Sequence, residues 1–210
     1  MNQPEPPPPP DRAVVLFGKP GAGKGTQGRL LAATPGLVHV DMGDVLREHR
    51  DRPAIAERLE QGELIPDDVV LRLLDAHLDE LVRGGVYEPG RDLLVLDGVP
   101  RTTDQAEALE RRMRVLAVVV LRCDDADVLR ERLQRRAADS DRRDDAAPDV
   151  VEERFREDEQ RTRPVLDWYG SRRVIEVDAG RRPTTVRDAI VRSIAPLLRG
   201  VPADSLEAPR

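Results

Sequence analysis

The stretch AVVLFGKPGAGKGTQ, residues 13–27, decides the fold of this chain. It joins an apolar run, residues 13–17, to a glycine-rich loop that contains Lys24 and Thr26 and leads into a helical pattern. Closely spaced glycines let a backbone pass near phosphate oxygens, and its N–H groups then form an anion-binding nest at a helix start. The stretch therefore predicts a phosphate-binding loop between the first strand and the first helix.

Both lysines of the chain, Lys19 and Lys24, lie in this loop, whereas every other strongly basic side chain is arginine. A lysine ammonium is a compact, mobile charge that can follow a moving phosphate, and arginine does not replace it there. We expect Lys24 to contact the β and γ phosphates and Lys19 to be incidental. The strict loop pattern has Ser or Thr directly after Lys. Here Gly25 intervenes, and Thr26 faces magnesium directly or through water.

Length, charge and cysteine content limit the classes of protein. A chain of 210 residues can hold one large α/β domain with small inserted lobes, but hardly a second independent core. A formal charge of -6 argues against a general nucleic-acid or anionic-membrane surface. A single cysteine, Cys123, excludes an internal disulfide framework, and no apolar stretch is long enough to cross a bilayer. We therefore expect a cytoplasmic protein whose partners are small molecules.

Short apolar runs alternate with helical patterns along the chain. The runs are near-continuous in apolar residues, as is typical of parallel strands covered on both faces, and they cover residues 13–17, 37–40, 93–97, 115–121 and 174–177. The helical patterns cover residues 23–33, 67–83, 104–112, 126–137, 149–169 and 184–198, with Pro148 near a helix start. This order predicts an α/β fold with a doubly wound five-stranded parallel sheet and helices on both faces.

Two segments do not fit simple crossovers. The long connection after the second strand predicts a small extra lobe, at about residues 41–72. Residues 138–149 are polar and lack an apolar stripe, which predicts a short mobile flap, with a disordered surface loop as the alternative. The proline-rich residues 1–12 lack the features of a signal peptide and predict a disordered tail. Residues 199–210 predict a second tail, which leaves residues 13–198 as a single domain.

Two carboxylates are candidates for a metal site. Asp97 ends the third predicted strand, where it can orient Mg²⁺ through water at the sheet edge that carries the loop. The alternative is a strand-end aspartate that caps the following turn. Asp44 is a second candidate, although its place at a helix start explains it equally well.

Three motifs in order, GKPGAGKGTQ at residues 18–27, MGDVLR at 42–47 and LDGVPRTTDQAEAL at 96–109, closely resemble those of adenylate kinases, in the nucleoside monophosphate kinase group. The resemblance covers about residues 13–198. It implies a P-loop NTPase fold with a small monophosphate-binding lobe and a short lid without zinc. It also implies a monomer that transfers a phosphoryl group reversibly from Mg-ATP to AMP, giving two ADP.

The resemblance assigns residues to both nucleotides. The ATP phosphates would be held by Gly21, Ala22, Gly23, Lys24, Gly25, Thr26 and Arg136, and the ATP base would lie beside Arg132 and Arg181. The AMP phosphate would be held by Arg47 and Arg101 and its base by Gln105, in a pocket lined by Met42, Glu63, Leu64, Ile65, Gly98, Val99 and Pro100. The lid would bring in Arg143 and Arg154, and Thr26 and Asp97 would hold Mg²⁺. Lys24, Arg101, Arg136, Arg143 and Arg154 are thus the implied catalytic residues.

Converging cations suit transfer between two polyanions, because phosphoryl transfer needs positioning and charge stabilisation but little covalent help. A phosphate nucleophile is already deprotonated, so no general base is required. Arg132 and Arg136 lie four residues apart on a predicted helix and share a face. For any single arginine the alternative is a solvated surface charge.

The chain departs from the family pattern at the acceptor side. Asp41 and Met42 replace the Ser-Thr pair that commonly precedes Gly-Asp, so a hydroxyl near the acceptor base is missing. Val99 replaces the usual aromatic of the Gly-Phe-Pro-Arg turn, and Ala146 follows Asp145 where a second aspartate is usual. A kinase for another monophosphate and a catalytically silent nucleotide-binding regulator are therefore alternatives. The complete set of phosphate ligands favours an ATP:AMP phosphotransferase.

Overall fold

The computed structural model describes residues 11–61, 65–139, 148–171 and 173–198. The strands in these ranges are β1 (Asp11–Phe17), β2 (Leu37–Asp41), β3 (Leu93–Asp97), β4 (Met113–Arg122) and β5 (Val174–Asp178). The helices are α1 (Lys24–Ala32), α2 (Met42–Glu48), α3 (Pro53–Gln61), α4 (Asp67–Arg83), α5 (Thr103–Arg112), α6 (Ala126–Asp139), α7 (Pro148–Tyr169) and α8 (Pro183–Leu198).

The strands form one sheet in the order β2-β3-β1-β4-β5, and the pairs are all parallel. Every residue of β3 is buried, as expected for a strand with helices on both faces. After β1 the chain forms β2 and β3 on one side of β1, and then β4 and β5 on its other side. The direction in which strands are added therefore reverses beside β1. In such a sheet a crevice opens at the carboxyl ends of the strands at this point. The predicted α/β fold with a five-stranded parallel sheet is confirmed.

Two apolar cores lie on opposite faces of the sheet. Alternate side chains of β1 enter different cores, Val14 on one face and Val15 on the other. The Val15 core contains buried side chains of α2, α4 and α5, and the Val14 core contains those of α1, α6 and α8. A fully buried Leu or Ile side chain stabilises a fold by about 1.5–3 kcal/mol. The cores therefore hold the strand ends, and the residues that follow them, in fixed positions.

The sheet begins earlier in the chain than the apolar pattern predicts. Strand β1 starts at Asp11, because Asp11 and Arg12 pair with the start of β4. The Asp11 carboxylate also accepts a hydrogen bond of 2.7 Å from the Tyr87 hydroxyl. Because residues 11 and 12 are polar, the apolar pattern does not include them. The tail was predicted to end at residue 12, but the strand already includes residues 11 and 12.

The connection between β2 and β3 contains the short helices α2 and α3 before α4, in the region where the sequence predicts a small extra lobe. Most of the predicted lid, residues 140–147, lies outside the described residues, as do residues 62–64 of the predicted lobe. Helix α7 begins at Pro148, as predicted. Within the described residues, none of the helices has the length and apolar character needed to span a membrane.

Candidate active site

The glycine-rich loop connects β1 to α1 at the carboxyl edge of the sheet. Gly21 and Gly23 have φ angles of 82° and 95°, a left-handed region that favours glycine. Gly23 is the N-cap of α1, and no side chain of a described residue caps it. The N–H groups at the start of α1 are thus available to an anion, where the helix dipole also favours negative charge.

Lys24 extends back along the loop. Its Nζ donates a hydrogen bond of 2.5 Å to the carbonyl oxygen of Gly18. Burial lowers the pKa of Lys24, Asp97 and Asp158 act to raise it, and Arg101 and Arg136 act to lower it further. The ammonium is therefore held among charges of both signs, where an incoming polyphosphate finds a positive group already placed.

A cleft of about 740 Å³ opens beside the loop. It brings together predicted residues from five parts of the chain, namely Gly21, Ala22, Gly23, Lys24, Gly25, Thr26, Arg47, Asp97, Gly98, Pro100, Arg101, Arg132, Arg136 and Arg181. The cleft thus joins the predicted donor phosphate site to the predicted acceptor phosphate site.

Local contacts hold several of the cleft arginines. The Arg101 Nε donates to the Gly98 carbonyl at 3.1 Å, and Arg132 donates to the Ala179 carbonyl at 3.0 Å. Arg47 pairs with Asp44, and Arg181 in the β5–α8 loop pairs with Asp178, the last residue of β5, at 2.9 Å. Three of these contacts, those of Arg47, Arg101 and Arg181, join residues three positions apart and are largely exposed, so phosphate oxygens can replace the present partners without moving the backbone. The Arg132 contact is part-buried and joins residues 47 positions apart.

Other predicted residues do not line the cleft. Met42, Ile65, Val99 and Gln105 are at most 4% exposed, and the first three belong to the apolar core. Glu63, Leu64 and Arg143 lie outside the described residues, as does the side chain of Arg154. Their predicted roles stay predictions.

Several cleft residues were not predicted from the sequence, and four of them lie on α7. Glu157, Asp158, Arg161 and Thr162 line the cleft from that helix, and Arg29 lines it from α1. The available signal was the helical spacing of three to four residues between these α7 side chains and the predicted Arg154. It was obscured because α7 is rich in charges on most of its surface.

Asp158 is the most informative of these residues. Burial raises its pKa, while Lys24, Arg101 and a hydrogen bond from Thr162 act to lower it. The carboxylate therefore faces the same cations that a polyphosphate would use. It is a half-buried negative group in a cleft built for anions.

Replacing Asp158 with asparagine should raise the melting temperature of the nucleotide-free protein at neutral pH. Because its pKa is raised, the folded protein keeps this proton to higher pH than the unfolded chain, so the free energy of unfolding falls as pH rises above the ordinary value of 3.8. Asparagine cannot ionise, so the difference in melting temperature between the variant and the parent should shrink as pH falls toward 3.8. The measurement is thermal unfolding across this pH range.

The matched control for that variant is Asp167→Asn, an exposed aspartate on the same helix, which should leave the melting temperature nearly unchanged. A lower melting temperature of Asp158→Asn at neutral pH would mean that attraction to Lys24 and Arg101 outweighs the cost of burying the carboxylate.

Two carboxylates meet beside the loop at the ends of adjacent strands. Asp41 ends β2 and Asp97 ends β3, and the two residues are in register. A Cβ atom on Gly25 would lie 3.4 Å from the Asp41 Oδ2 and 3.8 Å from the Asp97 Oδ2. The other oxygen of Asp41 accepts from the Asp44 backbone N–H at 3.2 Å and caps α2. Asp44 lies in the first turn of α2, the position at a helix start that the sequence offered as the alternative to a metal role.

Gln105 is fixed at the start of α5. Its side-chain oxygen accepts a hydrogen bond of 2.7 Å from the Arg101 backbone N–H, and its side-chain nitrogen donates one of 2.7 Å to Asp67. The Thr102 hydroxyl caps the helix by accepting from the Gln105 backbone N–H at 3.1 Å. The amide of Gln105 is 1% exposed and has a defined orientation.

Comparison with known proteins gives a consistent result. A family model described as adenylate kinase matches residues 16–174. The adenylate kinase of Thermus thermophilus is 35% identical over 175 residues, 79% of this chain and 87% of that protein. The adenylate kinase of a Cyanothece species is 32% identical over 202 residues, 89% of this chain and 96% of that protein. A uridylate kinase of Schizosaccharomyces pombe is 31% identical over 194 residues, 88% and 98% of the two chains.

Proposed function

This chain belongs to the adenylate kinase family, and we propose that its cleft transfers a phosphoryl group reversibly from Mg-ATP to AMP, giving two ADP. The enzyme is a nucleoside monophosphate kinase, a transferase. One observation carries the proposal at the level of the site: the phosphate loop with Lys24 and the acceptor-side arginines Arg47 and Arg101 line a single cleft. Transfer requires two polyanions side by side, and this cleft supplies cations to both.

The donor half of the cleft is formed by α1, α6 and the β5–α8 loop. The N–H groups of residues 21–26 would bind the ATP phosphates, and Arg132 and Arg181, which line the same cleft, would flank the base. Arg136 lies one helical turn after Arg132, on the same face of α6, which favours two contacts along one nucleotide. These roles are supported by the common cleft and by the family resemblance.

The acceptor half is formed by α2 and by the turn after β3. Arg47 and Arg101 would bind the AMP phosphate, since both line the cleft next to Gly98 and Pro100. Lys24, Arg101 and Arg136 are close enough for Arg101 and Arg136 to lower the pKa of Lys24. These cations repel one another, and negatively charged phosphates between them relieve that repulsion. The stabilisation favours the transition state, because negative charge is then spread over the phosphoryl oxygens.

The residues beside Gly25 fit a magnesium ion. Carboxylate and hydroxyl oxygens are the ligands that Mg²⁺ prefers, and it retains water and phosphate ligands in nucleotide sites. Asp97 and Asp41 turn one oxygen each toward the Gly25 position, and Thr26 adds an exposed hydroxyl one residue later. When bound, the ion would neutralise charge on the β and γ phosphate oxygens. Asp97 and Thr26 would hold it, through water.

The protein's own part in the reaction is to orient the two phosphates and to exclude water. The loop fixes the donor phosphates by main-chain N–H groups, whose positions are set by the strand and helix on either side. Arg101 and Lys24 would follow the transferring group. The half-buried Asp158 is displaced from these cations, or protonated, when the phosphates arrive.

A kinase for another nucleoside monophosphate is the second candidate. Two observations favour it: the uridylate kinase similarity, and the burial of Met42, whose side chain offers no hydroxyl to an acceptor base. Loss of one hydrogen-bonding partner changes specificity by about 1–3 kcal/mol. The cytoplasmic location and the monomeric state stay proposals as well.

An acceptor panel tests the proposal. With Mg-ATP as donor, AMP should be phosphorylated with a higher kcat/KM than CMP, UMP or GMP, because Gln105 complements adenine. Formation of the nucleoside diphosphates can be measured by ion-exchange chromatography. A clear preference for a pyrimidine acceptor would assign the enzyme to the second candidate, and no transfer to any acceptor would favour a regulatory nucleotide-binding protein.

A further inference from the structure

Asp67 links the start of α4 to the start of α5 by two hydrogen bonds. Its Oδ1 accepts from the Gln105 side-chain nitrogen at 2.7 Å, and its Oδ2 accepts from the Thr102 hydroxyl at 2.8 Å. The Gln105 side-chain oxygen accepts from the Arg101 backbone N–H at 2.7 Å. Both ends of the Gln105 amide are thus held by protein groups.

These partners allow only one orientation of the amide. A backbone N–H can only donate and a carboxylate can only accept, so the oxygen of Gln105 faces Arg101 and its nitrogen faces Asp67. A flip of the amide would replace two hydrogen bonds with two repulsive contacts, N–H against N–H and oxygen against oxygen. The orientation therefore follows from the chemistry of the partners, without reference to hydrogen positions.

Each end of the amide keeps one further hydrogen-bonding capacity. The nitrogen has a second N–H and the oxygen a second lone pair. An adenine edge presents an amino donor at position 6 beside an acceptor at N1, whereas hypoxanthine and guanine present a keto acceptor at position 6 beside an N–H donor at N1. For a base bound in one pose, a fixed amide complements the amino edge or the keto edge, but not both.

We infer that Asp67 determines which class of acceptor base the enzyme accepts, by positioning the amide of Gln105 for a 6-amino purine and against a 6-keto purine. The inference deepens the proposed function and rests on it, since it takes Gln105 as the residue that meets the acceptor base. Met42 and Val99, each 1% exposed, have apolar side chains that cannot hydrogen-bond to a base. Base recognition therefore depends more strongly on Gln105.

Gln105 is 1% exposed, so side chains that cover it must move for a base to reach its amide. The amide itself does not need to reorient, because Asp67 is the first residue of α4 and the Arg101 N–H lies in the turn that leads into α5. A preset amide avoids the cost of ordering a side chain on binding. Asp67 is therefore a positioning residue that acts through Gln105.

The test is Asp67→Asn, because an asparagine amide can offer an N–H instead of an oxygen to Gln105 and so removes one of the two contacts that oppose the flip, the other being the Arg101 backbone N–H. The ratio of kcat/KM for AMP to kcat/KM for IMP, its 6-keto isostere, should fall by about tenfold or more, mainly through a higher KM for AMP and a lower KM for IMP. Asp67→Ser removes the same opposing contact and retains a residue suited to a helix start, so it repeats the measurement if Asp67→Asn fails to fold.

The matched control is Asp68→Asn, one residue later on α4. Asp68 is exposed and pairs with Arg72 at 2.7 Å, a contact worth little to stability, and its variant should keep the parental AMP-to-IMP ratio. A folded Asp67 variant with an unchanged ratio, or with only a lower kcat for both acceptors, overturns the inference.

Gln105→Leu separates this inference from the proposed function. If the parent phosphorylates AMP and Gln105→Leu keeps the parental ratio, Gln105 does not read the base and the inference fails, while the phosphotransferase activity stands. If the parent phosphorylates no monophosphate, the proposed function fails first. Loss of discrimination in both the Gln105 and Asp67 variants, with Asp68→Asn unchanged, supports the inference.

Discussion

Replacement of Lys24 by alanine is expected to lower kcat about 1,000-fold or more, as removal of a transition-state cation does in phosphoryl transfer. The ammonium is already placed in the loop, bonded to the Gly18 carbonyl at 2.5 Å. A lysine side chain carries a compact charge on a flexible stem, so the Lys24 ammonium can move with the phosphoryl group. The measurement is single-turnover transfer from ATP to AMP at saturating concentrations of both.

Lys19→Ala is the matched control, since Lys19 lies in the same loop with an exposed side chain and should retain activity near the parental level. Lys24→Arg should remain far below the parent, because a planar guanidinium does not reproduce the geometry of the ammonium. Burial lowers the pKa of Lys24, so removing its charge relieves a cost in the folded state and the alanine variant should not melt early. Near-parental turnover in a folded Lys24→Ala protein would remove Lys24 from the mechanism.

The sheet was predictable because its strands are buried on both faces. The run at residues 93–97 coincides with β3, and the pattern at residues 67–83 coincides with α4, whose apolar face packs on the sheet. Strong periodicity and nearly continuous apolar runs report burial directly. Where polar residues extend a strand, as Asp11 and Arg12 do in β1, the pattern ends before the strand does.

The phosphate side of the site was also predictable, since a loop of contiguous residues carries most of it. Side chains that meet only in the fold were not. Asp67 and Gln105 lie 38 residues apart, and their hydrogen bond follows from the packing of α4 against α5. Asp158 lies on a highly charged helix where sequence alone gives no reason to choose one carboxylate over another. Burial makes this aspartate distinct, and burial is a property of the whole fold.

Gly21→Ala is the second change from which we expect a large effect. Gly21 has a φ of 82°, and a Cβ atom there would lie 2.6 Å from the carbonyl oxygen of Leu129 in α6, a backbone atom that cannot rotate away. Left-handed backbone costs a non-glycine residue roughly 1–2 kcal/mol, and overpacking adds about 1–3 kcal/mol. The loop must shift away from α6, and because a misplacement of about 1 Å costs on the order of 100-fold in rate, kcat/KM for ATP should fall by about that factor.

Gly23→Ala distinguishes backbone strain from the steric clash. Gly23 has a φ of 95°, but among the described residues no heavy atom beyond its two chain neighbours lies within 4 Å of its Cβ position, so backbone strain is the cost expected without nucleotide. Thermal and urea unfolding without nucleotide should therefore show a loss of about 1–2 kcal/mol for Gly23→Ala and a clearly larger loss for Gly21→Ala. Equal losses would mean that α6 yields to the added methyl group. In that case the contact with α6 does not determine the position in which the phosphate loop binds ATP.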